Sequence, residues 1–511
     1  MLGQLLARGH PAPNISLQGR SRREVDSGGA QSHGAGDSSR WGVLRHKHFR
    51  TIWLAAFGSY VGTWFEFVAL RWIISQETKS EAWLGYLAAA QLCPMLALGM
   101  LGGVIADSVN RRSLLIWTQA AMMVIALAMA GVVAAGAATP VVFLVLALLQ
   151  GVVVAFNVPA WQVLTPRLVP KSDLTRAITL NGISFNMARV VGPAIGGVIM
   201  RAFRSPVTHS VGVASATVAA SEFEGTSRGA AALLFFNAAT FVVVMLAVLT
   251  TPDAPAPPEM RGMWRRPREV LTHAKNAVRW VWNNRGARAL LLATVLFAVF
   301  ATPIMQVMPL IVSEVYHRKE DSYGVLLAIM GFGAVTGGLA MKHLPKWYPM
   351  HHFIPLCVGV SGVLLFAFAL VSDPVWGMLL MFGVGALWMW TWNSMAAAMQ
   401  HLVPDAMRGR VSSVMSTIAM GLMPAGTFIA GFIGHAGERL LVASGRESLQ
   451  SGTSTQLGLA GVSLPLVVAG IIMLTWRTPE VDGMQPGDPG YDRVPGLLRG
   501  LTARSHRPPR A

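Results

Sequence analysis

The run FIPLCVGVSGVLLFAFALVS at residues 353–372 is followed, after Asp373, by PVWGMLLMFGVGALWMWTWNSMAAAMQHL at residues 374–402. Asp373 is the only Asp, Glu, Lys or Arg in this stretch. Each run is long enough for a helix to cross about 30 Å of hydrocarbon at about 1.5 Å per residue. A membrane barrel would instead need strands of about ten residues with alternating polarity. The stretch therefore predicts two membrane-spanning helices joined by a short turn.

The composition of the whole chain extends this prediction. Of its 511 residues, 53% are hydrophobic and 13% are charged, whereas about 25% are charged in a soluble domain. The net charge of +17 raises the alternative of nucleic-acid binding. However, the basic residues lie in loops between apolar runs, which is the pattern that orients membrane proteins. We therefore expect the protein to have a lipid bilayer as its partner, and no nucleic acid.

Twelve apolar runs are predicted to span the membrane, at residues 51–75, 83–106, 113–135, 139–162, 174–203, 230–250, 288–313, 322–343, 353–372, 374–402, 408–434 and 457–476. The prediction is an all-α membrane protein with two six-helix bundles, at residues 42–250 and 288–476. Between them, residues 251–287 form a cytoplasmic linker. Its segment 268–282 either forms an amphipathic helix on anionic headgroups or is a plain basic connector.

The basic residues also predict which side each loop faces. Arg111, Arg176 and Lys342 lie in alternate loops, and the loops between them are neutral or mixed in charge. This asymmetry predicts that both termini lie in the cytoplasm. The bias towards Ala, Gly and Arg and the scarcity of cysteine are typical of a bacterium, so we expect a bacterial inner membrane. Residues 1–41 and 477–511 are rich in Gly, Arg and Pro or Ser and are predicted to be disordered cytoplasmic tails.

The two predicted bundles repeat each other in sequence. Leu-Val-Pro at residues 168–170 recurs at residues 402–404, an offset of 234 residues. Three more identities have the same offset: Arg176 with Arg410, Gly192 with Gly426, and Gly197 with Gly431. Such parallel repeats are typical of secondary transporters, although coincidence between glycine-rich helices is the alternative explanation.

The loop between the second and third spans reads GVIADSVNRRS at residues 103–113. It resembles the G-x-x-x-D-x-x-G-R-R/K signature of the major facilitator superfamily. The resemblance implies that Gly103 permits close helix approach and that Asp107 faces the N-terminus of the eleventh span. Arg111 and Arg112 are expected to anchor the loop and pair with carboxylates. Asn110 replaces the usual glycine and is expected to tolerate a left-handed turn.

The fifth span contains RVVGPAIGG at residues 189–197. Its G-P-x-x-G-G part resembles the signature of the export-type, proton-antiporter branch of that superfamily. Gly192 and Pro193 are expected to bend the helix, and Gly196 and Gly197 to let neighbouring helices approach. The leading glycine of the signature is Ala188 in this chain, and ordinary helix packing is the alternative explanation.

Two further stretches, FRTIWL at residues 49–54 and WFEFVALRW at residues 64–72, resemble a bacterial subfamily, the transmembrane secretion effectors. Enterobactin exporters and macrolide-efflux-like proteins belong to it. The resemblance implies a monomeric transporter of a siderophore or a hydrophobic drug, without a cofactor. It also singles out Asp405, Arg408 and Arg410 in the loop before the eleventh span.

Away from the span ends, three charged residues lie inside the predicted spans: Glu66, Arg71 and Arg189. Ionisable groups at membrane depth are costly and are functional candidates by default. Glu66 and Arg189 have similar depths in the first and fifth spans, so we expect them to meet near the midplane. Arg71 lies closer to the outer interface and is expected to snorkel on a different face from Glu66.

Glu66 then has three possible roles: a proton carrier, the counter-ion of a cationic substrate, or a structural partner of Arg189. If Glu66 carries a proton, the making and breaking of the pair with Arg189 biases inward-open against outward-open states. The predicted spans of the second bundle contain no carboxylate. Any proton coupling is therefore expected in the first bundle.

Polar and aromatic residues of the fourth, seventh and tenth spans are candidates to line a central cavity: Asn157, Trp161, Gln162, Gln306, Trp388, Trp392 and Asn393. The family resemblance places these spans around the cavity. The Trp residues suit a flat amphipathic substrate through stacking, and packing or interfacial placement is the alternative explanation.

The sequence contains no Walker A motif, no G-x-S-x-G elbow and no H-E-x-x-H, and it shows no metal-ligand spacing. We therefore expect no enzyme, no catalytic or metal site, and no nucleotide as energy source. The prediction is a proton-coupled exporter of a small amphipathic compound. An importer or uniporter of the same fold, and a non-transporting membrane sensor or scaffold, are the alternatives.

Overall fold

The computed structural model describes residues 40–164, 168–203, 215–253, 255, 267–343, 349–404, 407–444, 451–476 and 478–482. These residues form fourteen α-helices and, within the described ranges, no β-strand. The helices are α1 (Lys47–Thr78), α2 (Glu81–Ser108), α3 (Arg111–Ala134), α4 (Pro140–Leu164), α5 (Leu174–Ala202), α6 (Ser215–Leu249), α7 (Pro267–Asn283), α8 (Arg285–Ala301), α9 (Pro303–Leu310), α10 (Glu320–Ala340), α11 (Met350–Leu370), α12 (Pro374–Leu402), α13 (Arg408–Ala443) and α14 (Thr453–Thr475).

Twelve segments of the described chain are long and apolar enough to cross a membrane, as predicted. Helices α8 and α9 together form the seventh of these spans. Helix α7 lies in the linker and contacts α8 and α13. Large apolar side chains such as Trp117 (75% exposed) and Phe432 (77% exposed) lie on the outer surface. An exposed apolar surface of this extent is what a lipid-facing helix bundle presents.

The seventh span is interrupted, whereas the sequence predicts one helix over residues 288–313. Helix α8 ends at Ala301, and α9 begins at Pro303. Proline has no backbone N–H and cannot continue the ladder of hydrogen bonds. Thr302 lies at the junction, and its hydroxyl donates to the carbonyl of Ala298 at 2.5 Å. After Pro309 inside α9, the chain passes into a π-helical turn, Ile311–Val315.

Two other predicted boundaries are wrong. Helix α6 begins at Ser215 and not near residue 230. The predicted C-terminal tail contains a short 3-10 turn, Pro479–Asp482, in which Val481 is buried. The Asp482 carboxylate accepts a hydrogen bond from the backbone N–H of Met350, at the start of α11. The turn is ordered there because a helix N-terminus has backbone donors without a partner inside the helix.

The internal repeat is also a repeat of helix packing. Helix α5 begins at Leu174 and α13 begins at Arg408, at the same offset as the sequence identities. A Cβ atom at Gly192 would lie 2.5 Å from the Cβ of Trp64 in α1. A Cβ atom at Gly426 would lie 1.6 Å from the Val299 carbonyl oxygen in α8. The equivalent glycines therefore bring equivalent helices of the two halves into contact.

Candidate membrane transport site

Glu66 lies inside the first helix bundle and is 3% exposed. The side-chain amides of Gln150 in α4 and Asn237 in α6 donate to its Oε2 atom, at 2.9 and 2.7 Å. The position of Asn237 follows from Gly62, one turn earlier in α1. A Cβ atom at Gly62 would lie 2.6 Å from Asn237 Oδ1, so only glycine permits this approach of α6. The two amides stabilise a carboxylate here without a paired cation.

The predicted contact between Glu66 and Arg189 is wrong. Among the described residues, the hydrogen-bond partners of Glu66 are the two amides, and Arg189 extends towards the second bundle. Its Cζ atom lies 5.4 Å from the ring centroid of Trp388 in α12. The reason is geometric, because similar depth in two spans does not fix the direction in which each helix presents its side chains. A structural pairing with Arg189 is therefore removed from the roles of Glu66.

Arg189 is 8% exposed, and its Nη2 atom is buried without a hydrogen-bond acceptor among the described residues. The Trp388 ring beside it is held by Phe297 of α8, with 5.3 Å between centroids. Helix α5 touches the second bundle at the same level, since a Cβ atom at Gly331 of α10 would lie 3.0 Å from the Arg189 carbonyl oxygen. The guanidinium thus lies at the seam between the two halves.

Arg71 does not snorkel, because its side chain is fixed within the protein and is 2% exposed. Its Nε atom donates to Gln306 Oε1 of α9 at 2.7 Å, and its Nη2 atom donates to Gln91 of α2 at 3.0 Å. The guanidinium also lies 3.5 Å from the ring centroid of Phe67. The hydrogen bond between Arg71 and Gln306 therefore joins the two halves. Arg71 and Glu66 bond to different helices, as the sequence predicts.

The cavity candidates divide into two groups. Trp388 and Gln306 lie at the seam, and Trp392 lines a recess between α8, α12 and α13 with Thr294, Met395, Gln400 and Ser416. The other candidates lie elsewhere. Asn157 donates to the Thr118 hydroxyl of α3 at 2.8 Å, and Trp161 packs in an apolar cluster of the first half. Gln162 is exposed near the end of α4. Asn393 faces Met341. A one-dimensional pattern does not give the rotation of each helix about its axis, and that rotation separates the groups.

The loop between α2 and α3 binds the segment that follows α6. Asp107 and Arg111 form an ion pair at 3.3 Å. Asn110 donates to Asp253 at 2.6 Å, and Arg112 donates to the carbonyl of Leu249 at 2.6 Å. The loop motif is thus tied to its own half. Arg111 meets the carboxylate that was predicted for it, whereas Arg112 meets a backbone carbonyl.

Two predictions about this loop are wrong. A Cβ atom at Gly103 would meet nothing within 4 Å, whereas one at Gly102 would lie 2.1 Å from the Ala155 carbonyl oxygen. Gly102 therefore makes the close approach to α4. Asn110 has a φ of −65° and caps α3, with its side chain accepting from the backbone N–H of Arg112 at 3.0 Å. Helix capping, and not a left-handed turn, explains the asparagine.

The loop between α12 and α13, which contains Asp405, is described only in part. Asp405 lies outside the described residues. Arg408 and Arg410 belong to α13, but their side chains lie outside the description as well. The expected contact of Asp107 with the start of α13 therefore stays a prediction, and the described partner of Asp107 is Arg111.

The fifth-span motif lies where α5 packs against both halves. Gly192 and Gly196 face Trp64 and Phe65 of α1, within the first bundle. Gly197 faces α10, since a Cβ atom there would lie 3.1 Å from the Glu320 carbonyl oxygen. A Cβ atom at Gly324 of α10 would lie 2.4 Å from the carbonyl oxygen of Pro193. The motif thus forms a tight seam between the halves, and α5 continues through Pro193 without a break.

Three polar contacts join the halves at the end of the bundle where α1 meets α2. Lys79 and Glu314 form an ion pair at 2.7 Å, and Arg201 and Asp321 form another at 2.8 Å. The Thr455 hydroxyl of α14 donates to Glu81, the first residue of α2, at 2.5 Å. We call this group of contacts the α1–α2 seal.

The sequence analysis missed three residues of the buried network, Gln91, Gln150 and Asn237. Each is a primary amide within an apolar run, and such a group needs a hydrogen-bond partner at membrane depth. The signal was therefore present in the sequence. The partner of each amide was not, because the contacts join residues that lie far apart in the chain.

A family model described as transmembrane secretion effector matches residues 38–221 and 206–488. The chain therefore belongs to this family of major facilitator transporters, as its motifs predict.

Among its relatives is the staphyloferrin A transporter of Staphylococcus aureus, which is 21% identical over 73% of this chain and 86% of its own. The multidrug efflux pump Tap of Mycobacterium bovis is 25% identical over 75% of this chain and 85% of its own.

Among solved structures, the fold is similar to that of a bacterial homologue of the human lysosomal transporter Spinster. The TM-score is 0.63 at 15% identity, over 84% of this chain and 96% of that one. The protein is thus a multi-pass membrane transporter of the major facilitator fold, with exporter-like relatives.

Proposed function

We propose that this protein exports a small amphipathic compound by alternating access in exchange for protons, with Glu66 as the proton carrier. The observation that carries the proposal is the buried Glu66 carboxylate, which is bonded by the amides of Gln150 and Asn237 and not by Arg71 or Arg189. An amide pair stabilises the charged carboxylate but does not neutralise it, so a proton can bind and leave. A structural ion pair would oppose that exchange.

The α1–α2 seal supports the part of the proposal that concerns alternating access. From the asymmetry of the basic loops we infer that the α1–α2 turn lies outside and that both termini lie in the cytoplasm. In this orientation the seal closes the outer side, as we expect for an inward-facing state. Opening outward separates Lys79 from Glu314 and Arg201 from Asp321. Partly exposed ion pairs are worth about 0–1 kcal/mol each, so the separation of these two pairs adds little to the cost of the switch.

Export is favoured over import by the fifth-span motif and by the relatives, one of which is an efflux pump. A siderophore or a drug-like molecule is the cargo that we infer from those relatives. The chain acts as a monomer in this proposal.

The test is reconstitution in liposomes loaded with a pH-sensitive dye. Outward gradients of siderophores and amphipathic drugs are imposed, and proton flux and substrate flux are both measured. We expect substrate-driven proton flux in wild type, its loss in Glu66→Gln and its partial retention in Glu66→Asp. Glu438→Gln in α13 makes the same charge change in the second half and is the control.

Proton flux that survives in Glu66→Gln would remove Glu66 as the carrier. Substrate movement without proton flux would leave a uniporter, and transport in the opposite direction only would leave an importer. No movement of any compound would favour the sensor or scaffold alternative.

A further inference from the structure

Arg189 is the buried charge that the described protein leaves least satisfied. Arg71 donates to two glutamines and Glu66 accepts from two amides. Arg189 has the Trp388 ring beside it and no carboxylate or other hydrogen-bond acceptor among the described residues. Burial of a charged donor without an acceptor is unfavourable. A protein that keeps such a group gains something when an anion binds there.

The surroundings of Arg189 define what kind of anion fits. The guanidinium comes from α5 of the first half, and the Trp388 ring comes from α12 of the second half. Phe297 fixes that ring by an edge-to-face contact at 5.3 Å. A planar guanidinium binds carboxylates bidentately, and an indole face stacks on other aromatic rings. The acidic group and the aromatic part of a ligand thus have adjacent partners.

We propose that Arg189 and Trp388 form a binding site for aromatic acids at the seam between the two halves. The carboxylate of the ligand pairs with the Arg189 guanidinium, and its ring packs beside Trp388. Both halves contribute to the site, so the ligand holds together surfaces that alternating access separates. This assignment rests on the proposed transport function for its use, since it names the charge and shape of the cargo. It does not depend on proton coupling.

The probe pair is 1-naphthoate and 1-naphthamide, which are close in shape and differ in charge. Binding to the purified full-length protein in detergent is measured by equilibrium dialysis. We expect wild type to bind the acid at least tenfold more tightly than the amide, and Arg189→Gln to bind the two alike. Arg189→Lys keeps the charge but loses the planar fork, so it should retain part of the preference for the acid.

Arg50→Gln is the matched control, because Arg50 is exposed on α1 and loses the same charge. It should bind the acid as wild type does. The melting temperature of each variant establishes that it is folded. Should Arg189→Gln not fold, Trp388→Phe becomes the decisive variant, with weaker binding of both probes and an unchanged preference for the acid.

Equal affinity of wild type for acid and amide, or no binding of naphthoate at millimolar concentration, would overturn the proposal. Retention of the acid preference by Arg189→Gln would overturn it as well. If inorganic phosphate displaces naphthoate at equal concentration, the site binds anions in general, and the proposed preference for an aromatic ring is overturned. The transport assay is independent: acid-selective binding without transport overturns the proposed function alone, and transport without acid preference overturns the present inference alone.

Discussion

The two halves of this transporter share their helix packing and differ in their chemistry. Helices α5 and α13 start at equivalent positions, and their glycines Gly192 and Gly426 contact equivalent helices. Among the described residues, the charged side chains that are buried away from the helix ends are Glu66, Arg71 and Arg189, and all three belong to the first half. At the seam, the second half supplies amide and aromatic groups such as Gln306 and Trp388. The two halves thus share the glycines at which helices touch. They differ in side chains that do not limit how closely the helices pack.

The difference has a physical reason. A glycine at a helix crossing cannot change without moving a backbone, so equivalent crossings keep it. A polar side chain requires only a partner, and the partner can come from either half. In our proposal, the first half therefore handles the proton, and both halves contribute to the cargo site.

The largest expected effect tests the shared packing. Gly426→Ala places a Cβ atom 1.6 Å from the Val299 carbonyl oxygen, and Gly192→Ala places one 2.5 Å from the Trp64 Cβ. We expect both to destabilise the protein, by about 1–3 kcal/mol or more. Gly426→Ala should cost more, because the obstructing atom belongs to the backbone. Thermal unfolding in detergent measures the order.

Gly103→Ala is the control for this series, since its Cβ would meet nothing within 4 Å. It should leave the stability unchanged or raise it by up to about 1 kcal/mol, because alanine loses less backbone entropy than glycine in a helix. Equal losses at all three glycines would contradict the packing comparison.

A smaller effect tests the chemistry of the first half. Asn237→Leu removes one of the two amide donors to Glu66 and leaves a buried carboxylate partly unsatisfied. The expected cost is about 1–3 kcal/mol. In a Glu66→Gln background the same change should cost less, because no charge remains to be stabilised. Unfolding of the two single variants and the double variant gives the coupling energy, and a coupling near zero would show that the amide does not act through Glu66.

The smallest effect concerns the two equivalent positions that precede α5 and α13, Asp173 and Met407. Hydrogen bonds from His46 and Arg45 hold the pKa of Asp173 below its ordinary value, although burial opposes this shift. A lowered folded-state pKa contributes stability above the unfolded pKa of about 3.9, and that stability is lost as the pH falls through the lower folded value. The melting temperature of wild type should therefore exceed that of Asp173→Asn near neutral pH, and the gap should close below about pH 4.

Met407→Asn places the same residue at the equivalent position of the second half, and this change removes no charge. Its melting temperature should differ from that of wild type by the same amount at every pH. A gap for Asp173→Asn that does not change with pH would contradict the role of the carboxylate.

The sequence alone determined the membrane class, the twelve spans, the repeat and the family. Apolar runs of about 20 residues have one stable solution in lipid, because each backbone must satisfy its own hydrogen bonds. The sequence also singled out Glu66, Arg71 and Arg189, since charges inside such runs are rare. These are properties of local composition, and local composition is readable without a fold.

Only the tertiary structure decided which groups meet. In the structure, Glu66 accepts hydrogen bonds from two amides and does not pair with Arg189, which lies beside Trp388. The glycine that permits the close approach to α4 is Gly102 and not Gly103. Each outcome depends on the rotation of a helix about its axis and on which neighbour faces it. That rotation is set by packing between segments far apart in the chain, and no single apolar run encodes it.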